Sequence, residues 1–390
     1  MRLFASREAL YPADRTQRRY YLLDAARGFA AFMVLFFHYQ HFFMDPDVPV
    51  ALGRAVAEPR PGYLDLVPLN QLLFPLYRFG GFAVALFWMI SGFVFSSVYL
   101  GTRATTREFA VNRFARLYPL HFATLCVVAV LQLLAVSKFG HTLLYRDNDL
   151  YHFGLHTLFA SNWGLEGSAT YTFNGPIWSV SVEVLIYALF WLTRRWLTAA
   201  GIAVPMAFSL IGGALSLYLG NSFIASCCYY FFLGSCLCGI HAAYGATPMR
   251  IVVPALIAVP VAGAIFVALR SPVLAYLVLS VGFSTLILLL VIAEPFVAPR
   301  WHKVLSLIGD NTYGMYLLHV PVQLTLYLCL GHLFDLSVLA QSLWFLLLYL
   351  GLVIVLARAT FVWFERPMRK RLRNLGHLSK ARDRPAISAP

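Results

Sequence analysis

Long apolar runs separated by short polar ones dominate the chain. Runs of the length that crosses a bilayer fall at roughly 21–44, 80–100, 117–137, 176–194, 200–220, 223–244, 250–269, 273–293, 304–329 and 338–362. The pattern predicts an all-α, polytopic membrane helical bundle of about ten transmembrane helices. Two connections are long, 45–79 and 138–175. The second carries Tyr145, Tyr151, Phe153, Trp163, Tyr171 and Phe173, too aromatic for a disordered linker. Its rings suit either an interfacial aromatic belt or stacking against sugars.

The first run, YLLDAARGFAAFMVLFFHYQHFFM, is interrupted by Asp24, Arg27, His38 and His41. An ionisable group inside a spanning helix costs roughly 2.5–3.5 kcal/mol at the bilayer centre, so it marks function by default. Arg27 and His38 are three turns apart and project from one face, offset by about 16 Å along the axis. Asp24, one turn before Arg27, is close enough to pair with it. His38 has the pKa range of a general base, although an interhelical hydrogen bond would also explain it.

Similar polar groups recur in other spans. Ser91 lies in FWMISGF, where Ser-Gly equally suits close helix packing. Arg113 and Arg116, one turn apart in NRFARLYP, offer two guanidinium forks to a phosphate, or simply mark topology. In WSVSVE, Ser179 and Glu183 share a helix face, and Glu183 is expected about 10 Å below the outer surface, able to orient a donor group or hold an imidazolium. His319, in GDNTYGMYLLH, is expected about 22 Å from its helix's inner end. His38, Glu183 and His319 are thus expected at matched depth, with the arginines near the inner face, along one cavity crossing the membrane.

Composition agrees with a bundle: 60% of residues are hydrophobic and 12% charged, leaving no room for a separate soluble domain. The net charge of +13 does not point to nucleic acid. Of the 30 Lys and Arg, 22 fall in alternate segments, which predicts both termini in the cytoplasm. A basic segment, 1–20, precedes the membrane domain, 21–372, and a basic tail, 373–390, follows it and would contact anionic lipid headgroups. The first run lacks a cleavage site and is expected to remain in the mature protein. The six cysteines lie in apolar segments without metal-ligand spacing, so no metal site is expected. No P-loop, GxGxxG, GxSxG or HExxH is present.

The segments LDAARGFAAFMVLFFHY, ALFWMISGF, NRFARLYPL, IWSVSVEVLIY, GDNTYGMYLLHVPV and FERPMRK, in that order, resemble acyltransferase family 3 over residues 20–372. The resemblance implies transfer of an acyl group, commonly acetyl from cytoplasmic acetyl-CoA, to a hydroxyl of a surface or exported carbohydrate or of a lipid-linked glycan. It implies a multi-pass protein of the cell's inner or plasma membrane. His38 would be the essential base, with Glu183 and Asp24 in the catalytic set. Arg27, Arg113, Arg116 and Tyr118 would hold the coenzyme. Ser91, Trp178, Ser179, Tyr313 and His319 would meet the substrate. Val184 and Leu185 stand where the family often has Glu-Gln, leaving the polar role there to Glu183. Within the class, a signalling oligosaccharide or a hydroxylated small molecule such as a macrolide is an alternative acceptor. A proton-coupled transporter is the rival reading, because intramembrane His, Glu and Arg also build proton relays.

Overall fold

The computed structural model describes residues 19–50, 56–167, 171–220, 222–245 and 272–382. Among them the chain is helical and contains no β-strand. Among the described residues, eight helices are long and apolar enough to cross a membrane. The fold is therefore an all-α polytopic bundle. The expected span at 200–220 is a shorter helix, Ala203–Tyr218. The expected span at 250–269 lies outside the described residues.

In chain order the α-helices longer than four residues are α1 (Tyr21–His38), α2 (Asn70–Phe79), α3 (Ala83–Tyr99), α4 (Thr106–Phe139), α5 (Leu150–Thr157), α6 (Trp178–Ala199) and α7 (Ala203–Tyr218). There follow α8 (Phe223–Tyr244), α9 (Pro272–Ala293), α10 (Pro299–Asp310), α11 (Thr312–Leu330), α12 (Leu343–Thr360) and α13 (Arg366–Arg382). A 3-10 turn, Tyr39–Phe43, extends α1 past His38. The first amides of α1 are satisfied from far away: Tyr21 and Leu22 donate their backbone N–H to the Glu294 carboxylate at 2.8 and 2.9 Å. A carboxylate at a helix start also suits the dipole. The start of α4 is fixed by a capping box, with Glu108 N–H donating to Thr105 Oγ1 at 3.2 Å and Thr105 N–H donating back to Glu108 at 2.9 Å. Gly140, at φ +79°, ends that helix in the left-handed conformation.

Small residues bring backbones together where the site is built. A Cβ on Gly92 would fall 1.7 Å from the Phe231 carbonyl oxygen, and one on Gly234 1.9 Å from that of Met89. Helices α3 and α8 therefore meet backbone to backbone. The Ser-Gly pair divides its labour, Gly92 serving the packing and Ser91 facing a cavity.

The end of the 138–175 connection turns inward, although stretches such as Leu150–Tyr151 and Leu158 remain exposed. Asn174, Gly175, Pro176 and Ile177 are all buried. Pro321 lacks the N–H that would bond the carbonyl of Leu317 within α11. The Asn174 side-chain amide donates to that carbonyl at 2.9 Å instead. The helix carrying Glu183 thus starts from an anchored point inside the bundle.

Candidate functional site

Two cavities lie along the bundle axis; "lower" here means toward Tyr21. The lower one is a narrow cleft of about 80 Å³, bordered by Arg27, Ser91, Arg113, Arg116, Ser179, Glu183 and Tyr313 among others. The upper one, about 510 Å³, is bordered by His38, Gln40, His41, Tyr145, Tyr171 and Trp178. Tyr316 borders both. Its hydroxyl donates to the Pro176 carbonyl at 2.7 Å and lies 2.6 Å from Ser179 Oγ. The single cavity expected from sequence is thus two chambers with a tyrosine partition.

In the lower chamber, α1 supplies Arg27, α4 the two arginines, α6 Ser179 and Glu183, and α11 Tyr313. Tyr313 donates its hydroxyl to the Leu117 carbonyl at 2.8 Å, holding α11 to α4. The Arg113 guanidinium lies over the Phe95 ring at 4.8 Å, which spreads its contacts without consuming its donors. Arg27 and Arg113 both face Glu183 at electrostatic range, and Ser91 and Tyr187 adjoin the same carboxylate. Several atoms here are buried without a hydrogen-bond partner: Arg27 Nε, Arg113 Nε, Thr312 Oγ1 and Glu183 Oε1. Orphaned polar atoms around one cleft are costly unless a ligand meets them. Unmet guanidinium donors suit phosphate oxygens, and the unmet carboxylate oxygen suits an amide N–H.

Sequence reasoning missed two further cations. On α13, Arg369 stands near Arg116, and Arg373 near Arg113. The only sequence signal was the basic run after Glu365.

The upper chamber is organised by imidazoles. His38 Nδ1 donates to the Val34 carbonyl at 3.0 Å, which leaves Nε2 as the nitrogen with a free lone pair. His38 packs against His319 at 4.8 Å and His41 at 5.1 Å between ring centroids. His41 Nδ1 donates to Gln323 Oε1 at 2.9 Å, and Gln323 Nε2 donates to the His38 carbonyl at 2.8 Å. Gln323 therefore fixes both histidines; it was not anticipated from sequence, and His41, one of the ionisable interruptions of the first run, had been given no specific place in the site. His319 is fully buried behind His38, with Nδ1 donating to Met315 at 3.3 Å.

Three expectations are placed differently. Glu183 lies with the arginines of the lower chamber and not at the depth of His38 and His319. The reckoning began from a surface-level Pro176, whereas the Asn174 anchor draws that point inward. Asp24 does not pair with Arg27; its carboxylate accepts from Arg19 Nε at 2.8 Å, and Arg19 also reaches Asp310 at 3.6 Å. Arg19, just before the helix, takes the Asp24 carboxylate, while Arg27 lines the cleft. Tyr118 borders neither chamber, its ring stacking between Phe114 and Phe122. Trp178 borders the upper chamber, packing on Phe223 at 4.2 Å.

A multi-pass helical bundle in which a cationic cleft meets a histidine chamber defines a polytopic membrane protein with a buried polar site. The family model described as an acyltransferase domain matches residues 20–362. The chain belongs to acyltransferase family 3. It is 29% identical over 196 residues to the acyltransferase MdmB of Streptomyces mycarofaciens, a match covering 47% of this chain and 44% of that protein. The matched stretch thus spans less than half of that relative. No solved structure matches the chain.

Proposed function

We propose that this protein transfers an acyl group from cytoplasmic acyl-CoA to a hydroxyl of a carbohydrate carried at or across the cell membrane, with His38 as general base. The charge distribution of the sequence supports a cytoplasmic N-terminus and hence a cytoplasmic lower end. Arg27, Arg113 and Arg116 would then hold coenzyme phosphates, with Arg369 and Arg373 raising the positive potential below them. The single observation carrying the reading is the meeting, at Tyr316, of an arginine cleft with orphaned donors and a chamber in which His38 Nε2 has its lone pair free.

The chemistry follows from that juxtaposition. His38 Nε2 takes the proton of the acceptor hydroxyl as its oxygen bonds to the thioester carbonyl carbon. The carbon–sulfur bond then breaks, the thiolate leaves with the electron pair, and the imidazolium returns the proton to sulfur. The products are an ester and free CoA. Tyr145, Tyr171 and Trp178, interleaved with Gln40 and His41, give the upper chamber the mix of ring faces and hydrogen-bonding groups that suits a sugar. The chamber's volume of about 510 Å³ is in the range of small-ligand sites.

Coenzyme binding in detergent tests this. The purified protein should retain CoA, and Arg113→Ala with Arg116→Ala should weaken binding by about 10- to 100-fold per guanidinium, the worth of a charge-assisted contact. His38→Ala should keep CoA binding and lower ester formation on cell-surface glycans by about 10²–10⁴-fold. Indifference of CoA binding to both arginines favours the transporter reading instead.

A further inference from the structure

A third cavity, about 330 Å³, lies beside the two chambers, walled by Ala85 of α3, Tyr230 of α8 and Tyr276 and Leu279 of α9 among others. It shares Trp88 with the lower chamber, and Gly81, Val84 and Trp178 with the upper one. The partitions converge on one residue. Trp88 Nε1 donates to the Ser179 carbonyl at 3.3 Å, and Ser179 Oγ is bonded to Tyr316. Trp178 adjoins Ser179 in sequence and meets Trp88 edge to face at 5.6 Å. All three cavities thus abut around the first turn of α6.

A carbon undergoing acyl transfer carries three arms besides its carbonyl oxygen: the leaving sulfur, the incoming oxygen and its own alkyl chain. The proposed function assigns the lower chamber to the first arm and the upper to the second. We propose that the third cavity receives the alkyl chain of the acyl donor, making this protein competent for saturated acyl groups longer than acetyl. This inference rests on the acyl-CoA reading above.

The lining favours hydrocarbon. Several of its polar groups are already occupied: Ser226 Oγ is bonded to Tyr276 hydroxyl at 2.6 Å and to Ser216 Oγ at 2.7 Å, and Trp88 Nε1 donates to Ser179. Most of what faces the space is aliphatic and aromatic carbon, and burying methylenes there removes apolar surface from water at little polar cost. Leu279 and Ala85 come from different helices and set the room available.

Binding of a graded donor series to the full-length protein in detergent decides the matter, with CoA, acetyl-CoA, butyryl-CoA and octanoyl-CoA as probes. Octanoyl-CoA should bind at least tenfold tighter than acetyl-CoA. Filling the cavity by Leu279→Trp, or independently by Ala85→Phe, should collapse that ratio toward one, and Leu279→Ala should shift the preference to longer chains. Unacylated CoA reports whether each variant is folded. Equal affinity for all chain lengths in the unaltered protein overturns the inference, as does a ratio that survives both filling substitutions, which would assign the cavity to a bilayer lipid. Failure of CoA itself to bind the unaltered protein overturns the functional reading, and this inference with it.

Discussion

The side-chain amide of Asn174 donates to the main-chain carbonyl of Leu317 at 2.9 Å, taking the place of the helical bond that Pro321 cannot make. This contact joins the end of the long 138–175 connection to the helix bearing His319. It also sets how far into the bundle α6 begins, and therefore which chamber Glu183 faces.

Replacing Asn174 by Leu leaves that carbonyl buried and unmet, and should lower stability by about 1–3 kcal/mol. Introducing Pro321→Ala alongside restores an N–H at position 321 that can bond Leu317 within α11. The double variant should therefore lose less than the sum of the single losses, as read by thermal unfolding in detergent across a double-mutant cycle. Additive losses would detach the anchor from the proline.

Gln323 touches neither chamber's contents directly, yet it holds the His38 backbone and the His41 ring. As a positioning residue, its replacement by Leu should cut ester formation about tenfold or more, the cost of two neutral hydrogen bonds of about 1 kcal/mol each. CoA affinity should be unchanged, since the lower chamber is untouched. Gln323→Glu, which keeps the acceptor for His41, should retain more activity and shift the pH profile of the reaction. Equal profiles in the two variants would assign Gln323 to packing alone.

Gly92→Ala should be far more damaging than its size suggests. The added Cβ meets the Phe231 carbonyl oxygen at 1.7 Å, and backbone cannot step aside as a side chain can. Forcing α3 from α8 is an overpacking defect of about 1–3 kcal/mol or more, visible as loss of monodisperse protein on size exclusion. Gly351→Ala has nothing within 4 Å and lies inside α12, so it should be neutral or stabilising by about 0.5–1 kcal/mol.

Outside the membrane, Arg60 ties the first long loop to Asp335 at 3.0 Å. Burial raises the Asp335 pKa, but hydrogen bonds from Ser337 and Arg60 outweigh it and hold the carboxylate below its ordinary range. A depressed folded-state pKa gives stability that is complete above the unfolded value near 3.9 and is lost as pH falls through the folded one. The pair is half-exposed, so the effect is small, under about 1 kcal/mol. Between pH 5 and pH 2 the melting temperature of Asp335→Asn should fall less steeply than that of the unaltered protein.

Most of the fold was legible because bilayer length and apolarity are coarse, robust signals. The first helix, the His38–Arg27 stripe and the arginine pair of α4 are local features, set by helical periodicity alone, and they stand where that periodicity puts them. What escaped depends on partners distant in sequence. Glu183 was misplaced because its depth follows from Asn174 and Leu317, 143 positions apart. Asp24 was given the wrong partner because one-turn spacing permits a contact without choosing among competitors. Arg369 and Arg373 were given no part in the site, since only the packing of α13 on α4 brings them beneath Arg113 and Arg116.

The Glu294 carboxylate that completes the start of α1 is separated from Tyr21 by 273 positions. At ribosomal speeds of about 5–20 residues per second, it is synthesised roughly 14–55 s after the amides it will receive. Through that interval the leading hydrophobic segment must sit in the translocation machinery or the lipid with its first turn incomplete. Biogenesis of this bundle therefore closes from its last third back onto its beginning.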